Sequence, residues 1–258
     1  MKGLEILLHS VRQVFGNLNG ALKVSAAPYA IQVIVGLLIG GSAASMGMGA
    51  GMPSGGMMAG MGFAGLVTLI VVLVTSLWMA VAWHRYILLS EHPTGYVPSF
   101  MPDRILAYFL RSLGYGILLI LIAMVLGLVM GLILSPVVNS DSVVLFMILM
   151  SILVYLPIVI LSFRLTAALP GAALGAGTDF MAGWQATEGA TVDIAVLSVF
   201  VVGAHLFLGL IDFYLLSGVW VLSFVWNIVV GWLLVMVGIS ILTTIYGHYV
   251  EKRPLVTA

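Results

Sequence analysis

Two ionisable side chains within one apolar stretch, His205 and Asp212, are the residues of this chain best placed to do chemistry. They are seven residues apart, so in a helix they share one face about two turns apart. Where such a stretch spans a membrane, an ionisable residue is a functional candidate, because hydrocarbon solvates charge poorly. One role is a proton or substrate path. The role we favour is structural: a neutral His205 donates a hydrogen bond to another helix, and Asp212 is hydrated at the outer interface.

Two uncharged polar residues, Gln32 and Asn227, also lie within long apolar stretches. Amide side chains in such positions commonly form hydrogen bonds between helices. We therefore interpret both as interhelical hydrogen bonders rather than as catalytic groups. Together with His205, they are the groups that a transport path through the middle of the protein would have to use.

A glycine-rich segment, residues 41–62, holds six of the 15 methionines. Thioether sulfur is a soft ligand for Cu(I), so an outward-facing methionine cluster is a candidate copper site. The alternative is a flexible, mildly apolar loop that lies on the bilayer or on a partner, since methionine packs adaptably. We favour the loop, because the spacing is irregular and the segment contains neither His nor Cys. The six residues are Met46, Met48, Met52, Met57, Met58 and Met61.

Four arginines form a candidate surface for anionic lipid headgroups: Arg85, Arg104, Arg111 and Arg164. Arg104 and Arg111 share one face of a predicted helix, and His84 and His92 lie near Arg85 in the sequence. A basic surface at a membrane attracts anionic lipid with about 1 kcal/mol per cation. The alternative, which we favour, is that these charges only set the orientation of the chain in the membrane.

The composition places these residues in a membrane protein. Of 258 residues, 62% are hydrophobic and 7% are charged, and nine Lys and Arg balance nine Asp and Glu. A soluble domain carries about 25% charged residues, so this composition and a mean hydropathy of +1.24 indicate a polytopic membrane protein. The zero net charge argues against nucleic-acid binding, and the absence of cysteine excludes disulfides and thiol catalysis. We recognise no catalytic constellation, and we expect neither enzymatic activity nor a cofactor.

Six apolar stretches are long enough to cross a bilayer, which takes about 20 helical residues. All nine Lys and Arg lie in the N-terminal segment, in the second and fourth connections, or at the C-terminus. The positive-inside rule therefore predicts that both termini are cytoplasmic, in a bacterial inner membrane. The predicted spans are 24–42, 63–84, 112–140, 142–163, 192–211 and 219–246, with a Gly/Met-rich outer loop at about 43–61.

The predicted fold is an all-α integral membrane domain, residues 1–258, built as three helical hairpins that each follow a short interfacial amphipathic helix. The amphipathic stretches are 3–18, 100–111 and 178–190, and the repeat units are about 1–95, 96–175 and 176–258. Each hairpin ends in an aromatic or basic cluster followed by proline: Trp83-His84-Arg85-Tyr86 with Pro93, Phe163-Arg164 with Pro170, and Tyr246-Gly247-His248-Tyr249 with Pro254. The alternative explanation is that membrane boundaries generally attract aromatic and basic residues.

At these residues the chain resembles a bacterial family of six-helix membrane proteins. The family includes the membrane domain of glycerophosphoryl diester phosphodiesterases and the YciC-like proteins. Besides the N-terminal helix and the Trp83-His84-Arg85-Tyr86 boundary, the resemblance rests on Arg164-Leu-Thr-Ala-Ala-Leu-Pro170 and on Phe180-Met-Ala-Gly-Trp184-Gln-Ala-Thr187-Glu-Gly189. The latter is similar to the family's pattern of an aromatic residue, a small residue, Trp, Thr and Gly.

The resemblance implies the fold but no phosphodiesterase activity. The family's enzymes carry that activity in a separate soluble barrel with acidic metal ligands, for which we expect no room in this chain. The sequence favours a non-enzymatic scaffold or accessory subunit that packs against membrane lipids or other membrane-protein subunits. Two small-residue motifs for close helix approach, Gly36-Leu-Leu-Ile-Gly40 and Gly127-Leu-Val-Met-Gly131, agree with this interpretation. The alternative is a small-molecule transporter or channel.

Overall fold

A computed structural model describes residues 2–47, 55–137, 143–177, 179–216 and 218–255, with the side chains of 40–47, 55–61, 137, 143, 144 and 147 left out. All regular structure in these ranges is helical. In these described ranges, six helices are long and apolar enough to cross a membrane, which confirms the predicted number of spans and the class of multi-pass membrane protein. The helices are α1 Lys2–Gly16, α2 Leu18–Gly47, α3 Gly55–Leu89, α4 Pro102–Leu134, α5 Val143–Met150, α6 Leu156–Leu165, α7 Pro170–Leu174, α8 Ala182–Ala186, α9 Thr191–Ile211 and α10 Trp220–Ile245.

Wider, π-helical turns extend three of these spans. Ser151–Tyr155 joins α5 to α6, Asp212–Leu216 continues α9, and Tyr246–Val250 continues α10. These turns keep each span continuous, so backbone groups remain paired within the segment, as a bilayer requires.

Several helix boundaries differ from the predicted ones. Helices α2 and α3 extend into the predicted loop 43–61, as far as Gly47 and from Gly55. The amphipathic stretch 100–111 is not a separate helix, because α4 runs without a break from Pro102 to Leu134. Proline and an acidic residue in its first turn favour a helix start there, and no proline interrupts the helix afterwards. The stretch 178–190 contains only the short helix α8 in its described part.

Helix α1 is wedged between α9 and α10. Four residues at helical spacing form its buried face: Gly3, Ile6, Ser10 and Val14. Ile6 packs in one cluster with Leu197 of α9 and Ile241 of α10. At Gly3 the helices approach so closely that a Cβ would lie 2.8 Å from the backbone nitrogen of Leu197. The N-terminal helix is therefore an integral part of the packed bundle.

The other face of α1 remains open. Leu8 is 43% exposed and Phe15 is 50% exposed, although both belong to the apolar stripe of the predicted amphipathic helix. The helix consequently has two apolar faces, one against the protein and one available to lipid.

The buried core lies toward one end of the bundle. Its residues come from the start of α2 and α4 and from the end of α3 and α10, as Val24, Tyr108, Val81 and Ile245 illustrate. These ends meet because successive spans run in opposite directions. In contrast, the most apolar 18-residue stretch of α4, all of it described, contains no buried residue. The far halves of the spans therefore present apolar surface to their surroundings.

Candidate functional site

The packed end of the bundle also carries the positive charge. All nine Lys and Arg lie on α1, at the start of α2 or α4, at the end of α3 or α6, or in the C-terminal segment after Val250. Side chains there tie distant segments together. Arg85 at the end of α3 donates from Nη1 to the Ala173 carbonyl over 2.9 Å, for example. This cationic end is the candidate functional site, because it combines charge, buried polar groups and two surface clefts.

A buried histidine, His84, joins three spanning helices at the cationic end. The Thr243 hydroxyl donates to the Ile239 carbonyl over 2.9 Å, so its oxygen accepts from His84 Nδ1 at 2.8 Å. The remaining nitrogen, Nε2, then accepts from the Tyr108 hydroxyl at 3.1 Å. This pattern fixes His84 as a neutral imidazole that links α3 to α4 and α10.

Although His84 is adjacent to Arg85 in the sequence, it is not part of the protein surface. The side chain is completely buried, so it presents no charge to a lipid headgroup. Neighbouring residues on a helix point about 100° apart. Arg85 therefore reaches the protein surface while His84 enters the core.

Arg164, one of the four predicted headgroup arginines, is also held inside the protein. It is 9% exposed, and its guanidinium carbon lies 3.7 Å from the ring centroid of Trp184, a cation–π contact. Its Nε donates to the Thr187 hydroxyl over 3.4 Å. These internal partners leave Arg164 little surface for a lipid headgroup and indicate a packing role.

The other three arginines converge on residues 173–176, which form the end of α7 and the turn after it. Besides its bond to the carbonyl of Ala173, Arg85 forms a two-point ion pair with Glu91, in which Nε donates to Oε2 over 2.8 Å. Arg104 packs over Gly175, whose φ of +87° and lack of a side chain make room for the guanidinium. Arg111 donates to the Ala176 carbonyl over 3.4 Å. The predicted surface of Arg85, Arg104 and Arg111 is thus contiguous.

The polar residues predicted within the spans belong to separate sets of contacts. Gln32 on α2 donates to hydroxyls of α3, to Thr75 over 2.8 Å and to Ser76 over 3.0 Å. His205 donates from Nδ1 to the Val201 carbonyl of its own helix over 2.9 Å, rather than to another helix as expected. A carbonyl one turn earlier is simply the nearest acceptor for an exposed imidazole.

Asp212 and Asn227 form a pair across the α9–α10 connection. Asp212 accepts from the Ser223 hydroxyl at 2.7 Å and from Asn227 Nδ2 at 3.1 Å. The carboxylate therefore takes its hydrogen bonds from α10 in the described structure, although His205 shares its helix. No common site unites these residues with Gln32 among the contacts of the described chain.

A polar network joins α1 to α10, and the sequence did not predict it. The Ser10 hydroxyl donates to Thr244 Oγ1 over 2.9 Å, and the Ser240 hydroxyl donates to Gln13 Oε1 over 2.6 Å. Small polar residues in apolar helices carry little signal individually. Their spacing is the usable signal, since Ser240, Thr243 and Thr244 share one face of α10.

The segment that carries the family resemblance packs against α4 and the end of α6. The Tyr115 hydroxyl donates to the Phe180 carbonyl over 2.8 Å, and the two rings stack at 4.4 Å. A Cβ on Gly183 would lie 2.6 Å from the Leu165 carbonyl oxygen, and Gly189 has a φ of +79°. Together with the partners of Arg164, these contacts give the pattern an architectural role.

The side chains of the six candidate copper ligands lie outside the described part of the structure. Met48 and Met52 lie outside the described residues, as do the side chains of Met46, Met57, Met58 and Met61. Within the described ranges, no three His, Asp or Glu side chains lie close enough together to hold a metal ion.

Comparison of the chain with protein-family models, with curated proteins and with solved structures gives no match. The resemblance to the six-helix family therefore stays a prediction.

Proposed function

We propose that this protein is a non-enzymatic scaffold or accessory subunit of a bacterial inner membrane, which packs against lipids or a larger membrane complex. The observation that carries the proposal is the unpartnered apolar surface of α4. On that helix, a Cβ added at Gly127 or Gly131 would meet no described atom within 4 Å. The motif between them is thus open to lipid or to a neighbouring helix, and such motifs permit close helix packing.

The positions of the polar groups support this function over transport. A transport path requires polar side chains that converge near the middle of the membrane. Gln32, His205 and Asn227 instead bond to three different sets of partners. The buried polar network lies at the cationic end, where it joins helices rather than lining a path between the two ends.

We further propose that the chain consists of three helical hairpins, each with an interfacial segment on the cytoplasmic side. The exposed Leu8 and Phe15 of α1 support the first such segment. The second would be the basic first turns of α4, around Arg104. The third would be the turns around α8.

Both termini are expected on the cytoplasmic side. Because the chain contains no cysteine, a cysteine introduced at residue 2 or residue 258 is the only labelling site for a membrane-impermeant maleimide. In intact cells neither variant should be labelled, and both should be labelled after permeabilisation. A cysteine at residue 51, in the predicted outer loop, is the positive control. Labelling of one terminus in intact cells contradicts this orientation.

The scaffold function predicts that a membrane-protein partner or a defined set of lipids purifies with the native chain. If a partner helix packs on α4, Gly127→Ile together with Gly131→Ile removes it and leaves the fold intact, because both positions face open space. Gly116→Ile, at another open position of α4, is the control and should retain the partner. Mass spectrometry of the purified complexes measures both. Substrate-dependent flux into liposomes containing only the pure protein would instead support the transporter.

A further inference from the structure

A cleft of about 220 Å³ opens at the cationic end between α1, the ends of α3 and α10, and the C-terminal segment. We call it the tail cleft. Four of its lining residues have long or ring-shaped polar side chains that suggest a polar ligand: His9, Gln13, His248 and Arg253. We propose that the tail cleft binds the phosphate group of an anionic ligand, either a lipid headgroup or a soluble phosphate. The proposal deepens the lipid-packing function above and rests on it.

Arg253 supplies the charge, and its position is fixed by three contacts. Its Nη2 donates to the Leu88 carbonyl over 3.1 Å, its Nε pairs with Glu251 at 2.6 Å, and its backbone nitrogen donates to the Gly247 carbonyl over 2.8 Å. The hydrogen bond to Leu88 uses one of the five guanidinium donors, and Nε faces the Glu251 carboxylate. The other three, on a side chain that is 49% exposed, can form the forked contact that a phosphate accepts.

His9 of α1, which also lines the cleft, supplies a second donor. Gln13 Oε1 accepts from the Ser240 hydroxyl at 2.6 Å, and this contact orients the amide. Gln13 Nε2 must therefore donate to His9 Nε2, 3.3 Å away. Nδ1 of His9 then carries a proton that an anion can accept.

The C-terminal segment closes the third side. His248 Nδ1 donates to the Arg253 carbonyl over 3.1 Å, and the chain reverses at Lys252, whose φ is +59°. This turn returns Arg253 toward α3 and α1. Donors from an N-terminal helix and from a C-terminal turn, far apart in sequence, thus line one cleft.

The charge and size of the tail cleft favour a phosphate. None of its described lining residues is acidic, and Glu251, which pairs with Arg253, lies outside the lining. Its volume is below the roughly 300–1,000 Å³ typical of sites for drug-sized ligands, which suits a headgroup. The second cleft at the same end is less suitable, because Glu91 lines it and already occupies two donors of Arg85.

Binding can be measured by native mass spectrometry of the full-length protein in detergent, titrated with dioleoyl phosphatidylglycerol. Arg253→Gln should weaken this binding by at least about tenfold, since it removes the charged donor. Lys252→Gln removes the same charge from the neighbouring residue, which does not line the cleft, and should change binding less than about twofold. His9→Ala removes one hydrogen-bond donor and should weaken binding by about fivefold. It provides a second test if Arg253→Gln does not fold.

Competition with inorganic phosphate distinguishes a soluble phosphate from a lipid headgroup as the natural ligand. Competition at millimolar concentration assigns the cleft to a soluble phosphate, and lack of competition assigns it to the lipid. Equal losses in Arg253→Gln and Lys252→Gln, or no saturable binding of either probe, would overturn the proposal. The scaffold function is tested separately, by the partners that purify with the protein. Partners that bind to α4 should still purify with the Arg253→Gln variant.

Discussion

Replacing His84 with alanine is expected to lower the free energy of unfolding by about 3–5 kcal/mol, or the Tm by about 10 °C. The substitution leaves a cavity in the core, removes the partner of the Tyr108 hydroxyl, and removes the donor to Thr243, which keeps its own bond to the Ile239 carbonyl. Three spanning helices lose their common contact at once. Thermal unfolding in detergent, followed by circular dichroism, measures the change.

His205→Ala is the matched control for this prediction. His205 is exposed and bonds only to its own helix in the described structure, so its loss should cost no more than about 0.5 kcal/mol. A double-mutant cycle with Thr243→Val would isolate the His84–Thr243 bond, for which we expect a coupling of about 0.5–2 kcal/mol. Equal stability of His84→Ala and His205→Ala would show that His84 does not join the helices as described.

Gly183→Val is expected to destabilise the protein by about 2–3 kcal/mol. The new Cβ would lie within 2.6 Å of the Leu165 carbonyl oxygen and within 2.9 Å of the Ala168 nitrogen. Both neighbours are backbone atoms, so α8 would have to move away from the end of α6. That movement would also separate Trp184 from Arg164. The change in Tm is the measurement.

The control for Gly183 is Gly203→Val on α9, where a Cβ meets no described atom within 4 Å. Valine is also a better helix former than glycine, so this variant should be as stable as the native protein. If Gly183→Val were equally well tolerated, the close approach of α8 to α6 would be refuted.

The sequence reveals some contacts between helices and hides others, and the difference has physical causes. Gln32 was recognised as a helix-joining residue because an amide in a long apolar run has few other roles, and it does contact α3. Ser240 and Thr244 gave no such signal, because a hydroxyl can bond within its own helix as well as to another one. Their partners on α1 depend on how two helices distant in sequence align.

The sequence also does not determine which arginines are buried and which lie at the surface. Arg85 and Arg164 belong to two of the predicted aromatic or basic clusters, and their charge made both of them candidates for a lipid-headgroup surface. The structure buries Arg164 on Trp184 and leaves Arg85 in an ion pair beside a surface cleft. The rotation of each helix decides this difference, and rotation depends on neighbouring elements.

The sequence by itself determined that this is an all-helical membrane protein with six spans and that its cations belong to one end. These properties follow from each segment separately, because hydrocarbon tolerates few charges and requires backbone hydrogen bonds to close within the helix. Only the tertiary structure decided that α1 enters the bundle, that His84 is buried and that His9 and Arg253 line one cleft. A lipid-facing apolar surface and a protein-facing one have similar chemistry, so only packing distinguishes them.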